Sequence, residues 1–176
     1  ENRGDPEPFA KDVNELEQRL AETEAQSDAL KESLIWEKKQ SDREIKSVET
    51  ELRVAQLKYE QLVNADLPFK KSQLQKKLEE SRHDWKNVAG YVDDLKNLAQ
   101  KGYPHPKELE QAQKEAQNKH EIYQDNLRKY DNFINYELVT EMESAKGSRT
   151  KSKTKLEQIK ASSAYKLSKI QTEIVK

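Results

Sequence analysis

Apolar residues recur along most of the chain at alternating spacings of three and four residues, which places them on one side of an α-helix. The four series run from Val13 to Leu62, from Leu74 to Ala99, from Leu109 to Ile134 and from Leu138 to Ile174. Each series supplies roughly two apolar positions per heptad, which is the narrow seam of a coiled coil. The pattern therefore predicts long helices that each face one or two partners rather than a globular core.

Proline residues mark where these helices can stop. They are confined to three places: Pro6 and Pro8 near the start, Pro68, and Pro104 together with Pro106. Because a proline in a helix interior costs about 3 kcal/mol, the proline-free stretches between these places are predicted to be continuous helices.

The segment from Gly102 to Pro106 predicts a tight reversal of the chain. Gly102 suits the left-handed residue that caps a helix, and Pro104 prevents that helix from continuing. Pro106 suits the first turn of the next helix, with His105 at its N-cap. A connection this short makes the two flanking helices antiparallel neighbours.

The apolar positions of the two arms match in register when the chain reverses at this turn. Folding about this turn pairs residues whose numbers sum to about 207, which brings Leu95 beside Ala112 and Leu52 beside Leu156. Apolar positions therefore meet from Leu34 to Leu95 of the ascending arm and from Ala112 to Ile174 of the descending arm. The predicted fold class is all-α, a long antiparallel coiled-coil helical hairpin with a break part-way along both arms.

The predicted organisation has four segments. They are an N-terminal linker at 1–9, an ascending arm at 10–101 with its break at 64–68, a tip at 102–106, and a descending arm at 107–176 that is truncated at its C-terminus. The descending arm is expected to loosen near 139–143, the height that faces 64–68. Because seam positions in 10–33 lack a partner, the natural protein is expected to continue by about twenty helical residues.

Composition supports a coiled coil and argues against several other classes. Charged residues make up 37% of the chain and hydrophobic residues 33%, too few apolar groups to build the core of an ordinary enzyme. The net charge of −1 favours neither nucleic acid nor an anionic membrane as a partner. There is no cysteine, and no apolar run approaches the length of a membrane span.

No catalytic motif, cofactor site or metal site is predicted. The sequence lacks a glycine-rich phosphate loop and a nucleophile elbow, so we expect no enzymatic activity and no cofactor. His83 and His120 are predicted to be solvated surface residues. In the predicted register they lie about one helical turn apart, so a metal-binding pair is the alternative. The basic run 146–160 predicts either a contact with nucleic acid or lipid headgroups or, preferably, a flank that pairs with glutamates of the opposite arm.

Two aromatic positions are candidates for contacts with other molecules. Tyr103 is flanked by Gly102 and Pro104 at the reversal, where the hairpin itself cannot bury it. Trp36 lies beside the seam, where it either widens the core or contacts a second molecule.

One protein family has a similar tip. The segment from residue 94 to residue 112 reads Asp-Leu-Lys-Asn-Leu-Ala-Gln-Lys-Gly-Tyr-Pro-His-Pro-Lys-Glu-Leu-Glu-Gln-Ala, and it resembles the hairpin tip of HlyD-like periplasmic adaptors, also called membrane fusion proteins. Segments 59–68 and 127–138 are similar to the ascending and descending arms of long-hairpin members. The family meets its outer-membrane channel through an Arg, a Leu and a Ser at the tip. In this chain Asp94, Leu98 and His105 stand at those positions.

The resemblance implies a periplasmic hairpin in a protein anchored to the inner membrane. Its tip, formed by Asp94, Leu98, Tyr103 and His105, would contact an outer-membrane channel, and domains outside this sequence would contact an inner-membrane transporter. The full-length protein would form a homo-oligomeric ring in a tripartite efflux or type I secretion system and would bind no nucleic acid. The alternative is a structural coiled-coil spacer or scaffold arm of a cytoplasmic protein.

Overall fold

The structure is a computed structural model that describes residues 6–175. In the ascending arm, helix α1 spans Pro6–Gln61 and helix α2 spans Leu67–Gln100, and one π-helical turn, Leu62–Asp66, joins them. This arm therefore contains 95 consecutive helical residues.

The descending arm has the same organisation. After the turn at residues 101–105, helix α3 spans Pro106–Asn132, and a second π-helical turn, Phe133–Glu137, joins it to helix α4, Leu138–Val175. This arm contains 70 consecutive helical residues, and no strand occurs among residues 6–175. The predicted all-α helical hairpin is confirmed.

The chain divides into two compact units. One unit consists of residues 6–54 and 150–175, and the other is Ala55–Arg149. Each unit contains a stretch of each arm, so each is built on a contact between two helices.

Most of the covered side chains are those of the predicted seam, and the buried Leu67 and Phe133 lie outside it. In the unit Ala55–Arg149, every seam position predicted between residues 74 and 99, and between 109 and 134, is buried or half-buried. In the other unit, Ser41, Val48, Leu156 and Ser163 are the buried residues. Small residues at seam positions let the helix backbones approach closely. The buried Ser81 hydroxyl is satisfied locally because it donates a hydrogen bond to the Leu78 carbonyl oxygen at 2.9 Å.

Contacts between the arms confirm the predicted register. In Ala55–Arg149, Leu95 and Ala112 belong to one buried cluster, which also contains Val92. The Trp85 ring stacks on the Tyr123 ring, with centroids 5.5 Å apart. Both pairs have residue numbers that sum to 207 or 208, as the antiparallel register requires.

An ion pair gives independent evidence of the register in the unit formed by residues 6–54 and 150–175. Lys155 Nζ lies 3.1 Å from Glu51 Oε2, and these numbers sum to 206. Their neighbours along the chain are the seam residues Leu52 and Leu156, which are half-buried and buried. The predicted meeting of residues 52 and 156 is consistent with this ion pair.

At the predicted break around Pro68 the structure has a π-helical turn in place of an interruption. The Leu67 N–H donates to the Leu62 carbonyl, five residues earlier. Proline has no N–H to donate, and in a regular helix its ring would clash with the carbonyl four residues before it. The wider turn accommodates Pro68 while the helix continues.

The irregular turn of the descending arm does not lie at 139–143, the height that faces 64–68 in the predicted register. Helix α4 is continuous through this stretch and through Gly147, and the π-helical turn of the second arm lies earlier, at Phe133–Glu137. A single glycine costs only about 1 kcal/mol in a helix interior. That cost is too small to interrupt a helix whose seam residues on either side, Ala145 and Arg149, are half-buried.

The predicted ends of the segments shift slightly. Residues 1–5 of the predicted linker 1–9 lie outside the described residues, and residues 6–9 form the start of α1. Pro6 and Pro8 are tolerated there because N–H groups in the first turn have no partner within the helix. The descending arm begins at Pro106, one residue earlier than predicted, for the same reason.

Deeply buried side chains lie in or next to the π-helical turns, with Phe133 in the second turn and Leu67 directly after the first. Phe133 is 0% exposed and Leu67 is 4% exposed. Lys70 pairs with Glu137, and its Nζ lies 5.6 Å from the centroid of the Phe133 ring. The paired ammonium group of Lys70 therefore lies over the face of the Phe133 ring.

We predict that Phe133→Ala lowers the free energy of unfolding by about 3–5 kcal/mol, because it removes a fully buried aromatic side chain. Urea denaturation followed by circular dichroism measures the loss. The matched control is Phe69→Ala, since Phe69 is 65% exposed, and its effect should stay within about 0.5 kcal/mol. Similar losses for both variants would contradict the buried position of Phe133.

We also predict that cysteines placed by Glu51→Cys and Lys155→Cys are joined within one chain by a short thiol crosslinker. The native side chains meet at 3.1 Å, and the chain has no other cysteine to compete. Mass spectrometry of the crosslinked product, prepared from mixed isotopically heavy and light chains, separates intramolecular from intermolecular links. Links found only between chains would replace the hairpin with a swapped dimer.

Candidate partner-binding site at the hairpin tip

Helix α2 ends in a Schellman motif centred on Gly102. The Tyr103 N–H donates to the Leu98 carbonyl oxygen at 2.9 Å, and the Gly102 N–H donates to the Ala99 carbonyl oxygen at 3.2 Å. Gly102 has φ = 94°, a left-handed conformation that strains residues with a Cβ. The motif satisfies the carbonyl groups of Leu98 and Ala99 and ties the backbone of Tyr103 to that of Leu98.

The next helix begins at Pro106, immediately after the turn. His105 is its N-cap residue, as predicted, with φ = −128° and ψ = 72°, but its side chain makes no capping hydrogen bond. The His105 carbonyl oxygen accepts the first hydrogen bond of the helix, from the Leu109 N–H at 2.9 Å. The imidazole is exposed, so it remains accessible to a partner.

The structure brings two of the four predicted site residues together and leaves all four exposed. Leu98 is 40% exposed and Tyr103 is 67% exposed, and the hydrogen bond between their backbones links them directly. Asp94 lies one helical turn before Leu98 on α2, and His105 lies in the turn. The site is therefore an apolar pair with a carboxylate below it and an imidazole beside it.

A buried apolar cluster lies beneath this exposed surface. The buried cluster of Val92, Leu95 and Ala112 joins the two helices directly below the turn. Leu109 and Ala116 pack against the same cluster. Because the exposed residues follow this cluster on a capped helix end, their backbone has little conformational freedom to lose on binding.

Asp94 is a free charge within this surface. Among residues 6–175 its carboxylate takes part in none of the ion pairs, and it is exposed. An unpaired carboxylate next to an apolar pair favours a partner that presents a cation or a hydrogen-bond donor.

Sequence reasoning placed His120 on the solvated surface, and the structure places it in an aromatic cluster. The imidazole centroid lies 4.6 Å from that of Trp85 and 6.4 Å from that of Tyr123, and His120 is half-buried. His83 is exposed. No group of three or more metal-ligating side chains occurs among the described residues. The spacing of His120 and Tyr123, three residues apart, places both on one helix face, but it does not indicate that His120 contacts Trp85 of the opposite arm.

Part of the basic run 146–160 contacts the opposite arm. Lys155 forms the ion pair with Glu51, and the Arg149 guanidinium lies 4.4 Å from the Tyr59 ring centroid. These two contacts agree with the prediction that the run pairs with the other arm.

Comparison of the chain with protein-family models, with curated proteins and with solved structures finds no match. No helix within residues 6–175 has both the length and the apolar composition needed to span a membrane. The geometry of the tip and the residues displayed there are thus the basis for a functional proposal.

We predict that Gly102→Ala lowers the free energy of unfolding by about 1–2 kcal/mol, because alanine is strained at φ = 94°. Gly147→Ala is the matched control. Gly147 is helical with no atom within 4 Å of an added Cβ, so this change should stabilise by about 0.5–1 kcal/mol. Thermal unfolding of both variants measures these opposite signs, and equal signs would contradict the left-handed cap.

Proposed function

We propose that this hairpin is the helical hairpin of a periplasmic adaptor that bridges an inner-membrane transporter and an outer-membrane channel. The proposal draws on the similarity of residues 94–112 to the HlyD-like tip and on the two-helix architecture. In this proposal the hairpin lies in the periplasm, and the full-length protein is anchored to the inner membrane and assembles as a ring.

The observation that carries the proposal is the apolar pair Leu98 and Tyr103, exposed on a rigid reversal. A two-helix hairpin needs no aromatic residue at its turn for stability, and Tyr103 remains 67% exposed. Aromatic side chains held on ordered backbone are frequent centres of binding energy in protein interfaces. A docking role accounts for an exposed tyrosine between Gly102 and Pro104.

The chemistry of the tip also specifies the surface that the channel would present. Asp94 stands where the family has an arginine, so the charge at that position is reversed. We infer that the channel presents a basic or hydrogen-bond-donating group opposite Asp94 and an apolar depression opposite Leu98. His105 adds a second polar contact beside Tyr103.

A cytoplasmic structural spacer is the competing function, and it makes a different demand on the tip. A spacer depends on the seam and on the length of its arms, whereas an adaptor depends on the residues at its reversal. Substitutions confined to Leu98 and Tyr103 therefore separate the two functions without disturbing the hairpin.

We predict that Leu98→Gln combined with Tyr103→Gln abolishes channel association or export by the full-length protein, while the helicity of the hairpin is nearly unchanged. Both side chains are exposed, so removing them affects docking more than folding. Export assays and co-purification with the channel measure function, and circular dichroism measures helicity.

The matched control combines Tyr91→Gln with Ile122→Gln. These residues are 49% and 48% exposed on α2 and α3, so the control also removes one aromatic and one aliphatic side chain. The control should retain export. Full export by the tip variant would assign the contact to another surface and favour the spacer.

A further inference from the structure

Helix α1 carries an apolar stripe that no described part of the chain covers. The stripe, here called the N-terminal stripe, consists of Phe9, Val13, Leu16 and Leu20, which are 75%, 38%, 63% and 60% exposed. Their spacings of four, three and four residues place them on one face of the helix. A contiguous row of large apolar side chains on one helix face is typical of a docking surface.

The stripe is continuous with an interface that is already formed. The same spacing leads from Leu20 through Thr23 to Ser27, Leu30 and Leu34, which are half-buried, and then to the buried Val48. The N-terminal stripe therefore extends the seam on which α1 and α4 pack in this unit. The helix presents one uninterrupted seam, of which only the later stretch is covered.

Charges around the stripe indicate the kind of helix that would cover it. Residues 9–24 contain five acidic and two basic side chains, all exposed. The acidic residues are Asp12, Glu15, Glu17, Glu22 and Glu24, and the basic residues are Lys11 and Arg19. On a helix with about 3.6 residues per turn, Asp12, Glu17 and Glu24 border the apolar face, with Arg19 as the only basic residue there.

The covered stretch of the same seam shows which charges α1 accepts opposite it. Residues 150–175 of α4 contain six lysines and two glutamates. Lys155 pairs with Glu51 of α1, and Lys166 lines one cavity together with Glu37 and Glu44. At these two places on the covered seam, glutamates of α1 thus lie near a lysine of α4.

We propose that the N-terminal stripe is a docking surface for an amphipathic helix with an apolar seam and lysine- or arginine-rich flanks. Such a helix matches the stripe in both respects, since its apolar side covers Val13, Leu16 and Leu20 and its cations face Glu17 and Glu24. A second copy of the stripe is a poor occupant, because two acidic flanks repel each other.

The probe for this proposal is a synthetic peptide of about three heptads, with leucine at the seam positions and lysine at the flanking positions. The matched control peptide has glutamate in place of every lysine. Isothermal titration with the intact hairpin should show binding of the lysine peptide at least about tenfold tighter than that of the glutamate peptide. Equal affinities, or no binding of either peptide, would overturn the proposal.

Protein variants locate the binding surface. Leu16→Gln combined with Leu20→Gln keeps every charge and should weaken binding of the lysine peptide by at least about tenfold. The control, Val54→Gln combined with Leu57→Gln, removes two side chains that are 44% and 52% exposed outside the stripe, and it should leave binding unchanged. An equal effect of both variants would show non-specific attraction and refute the site.

Neutralising the flanks tests the charge argument separately. Glu17→Gln combined with Glu24→Gln should weaken binding about threefold or more and reduce its dependence on salt.

Sedimentation of the hairpin without peptide tests whether a second copy of the hairpin binds the stripe instead. A dimer that dissociates when Leu16 and Leu20 are replaced by glutamine would assign the stripe to a second copy and overturn the proposal.

Discussion

Burial of a narrow apolar seam against one other helix is the interaction on which the rest of this protein depends. Two apolar positions per heptad cover too little surface to stabilise a single helix, so each arm requires the other. The ion pair between Glu51 and Lys155 adds little to the stability of this contact, because both side chains are about half exposed. Exposed pairs of this kind contribute about 0–1 kcal/mol.

The same constraint explains why the arms continue through two irregular turns. Pro68 would interrupt an isolated helix, but a break would also separate the seam on either side of it. A π-helical turn retains the helix, and it is followed by the buried Leu67. The second turn begins at Phe133, the most completely buried large side chain of the described residues. Both irregularities thus coincide with burial.

The two candidate interaction surfaces lie where the covered part of the seam ends. At the tip, the Schellman motif at Gly102 closes the last turn of α2 and leaves Leu98 and Tyr103 outside the buried cluster of Leu95 and Ala112. On α1, the N-terminal stripe continues the seam beyond the stretch that α4 covers. An apolar residue in either place contributes little to the stability of the hairpin itself, which makes it available for binding.

Sequence alone determined the helical arms, the reversal at Gly102, the register of Leu95 with Ala112, and the exposure of Leu98 and Tyr103. These follow from local spacing and from the distinct backbone chemistry of glycine and proline, which the sequence carries directly. Only the tertiary structure decided how Pro68 is accommodated, where the second irregular turn lies, that Phe133 is buried and that His120 packs on Trp85. Those outcomes depend on which residues of the opposite arm lie nearby, and helical spacing within one arm does not contain that information.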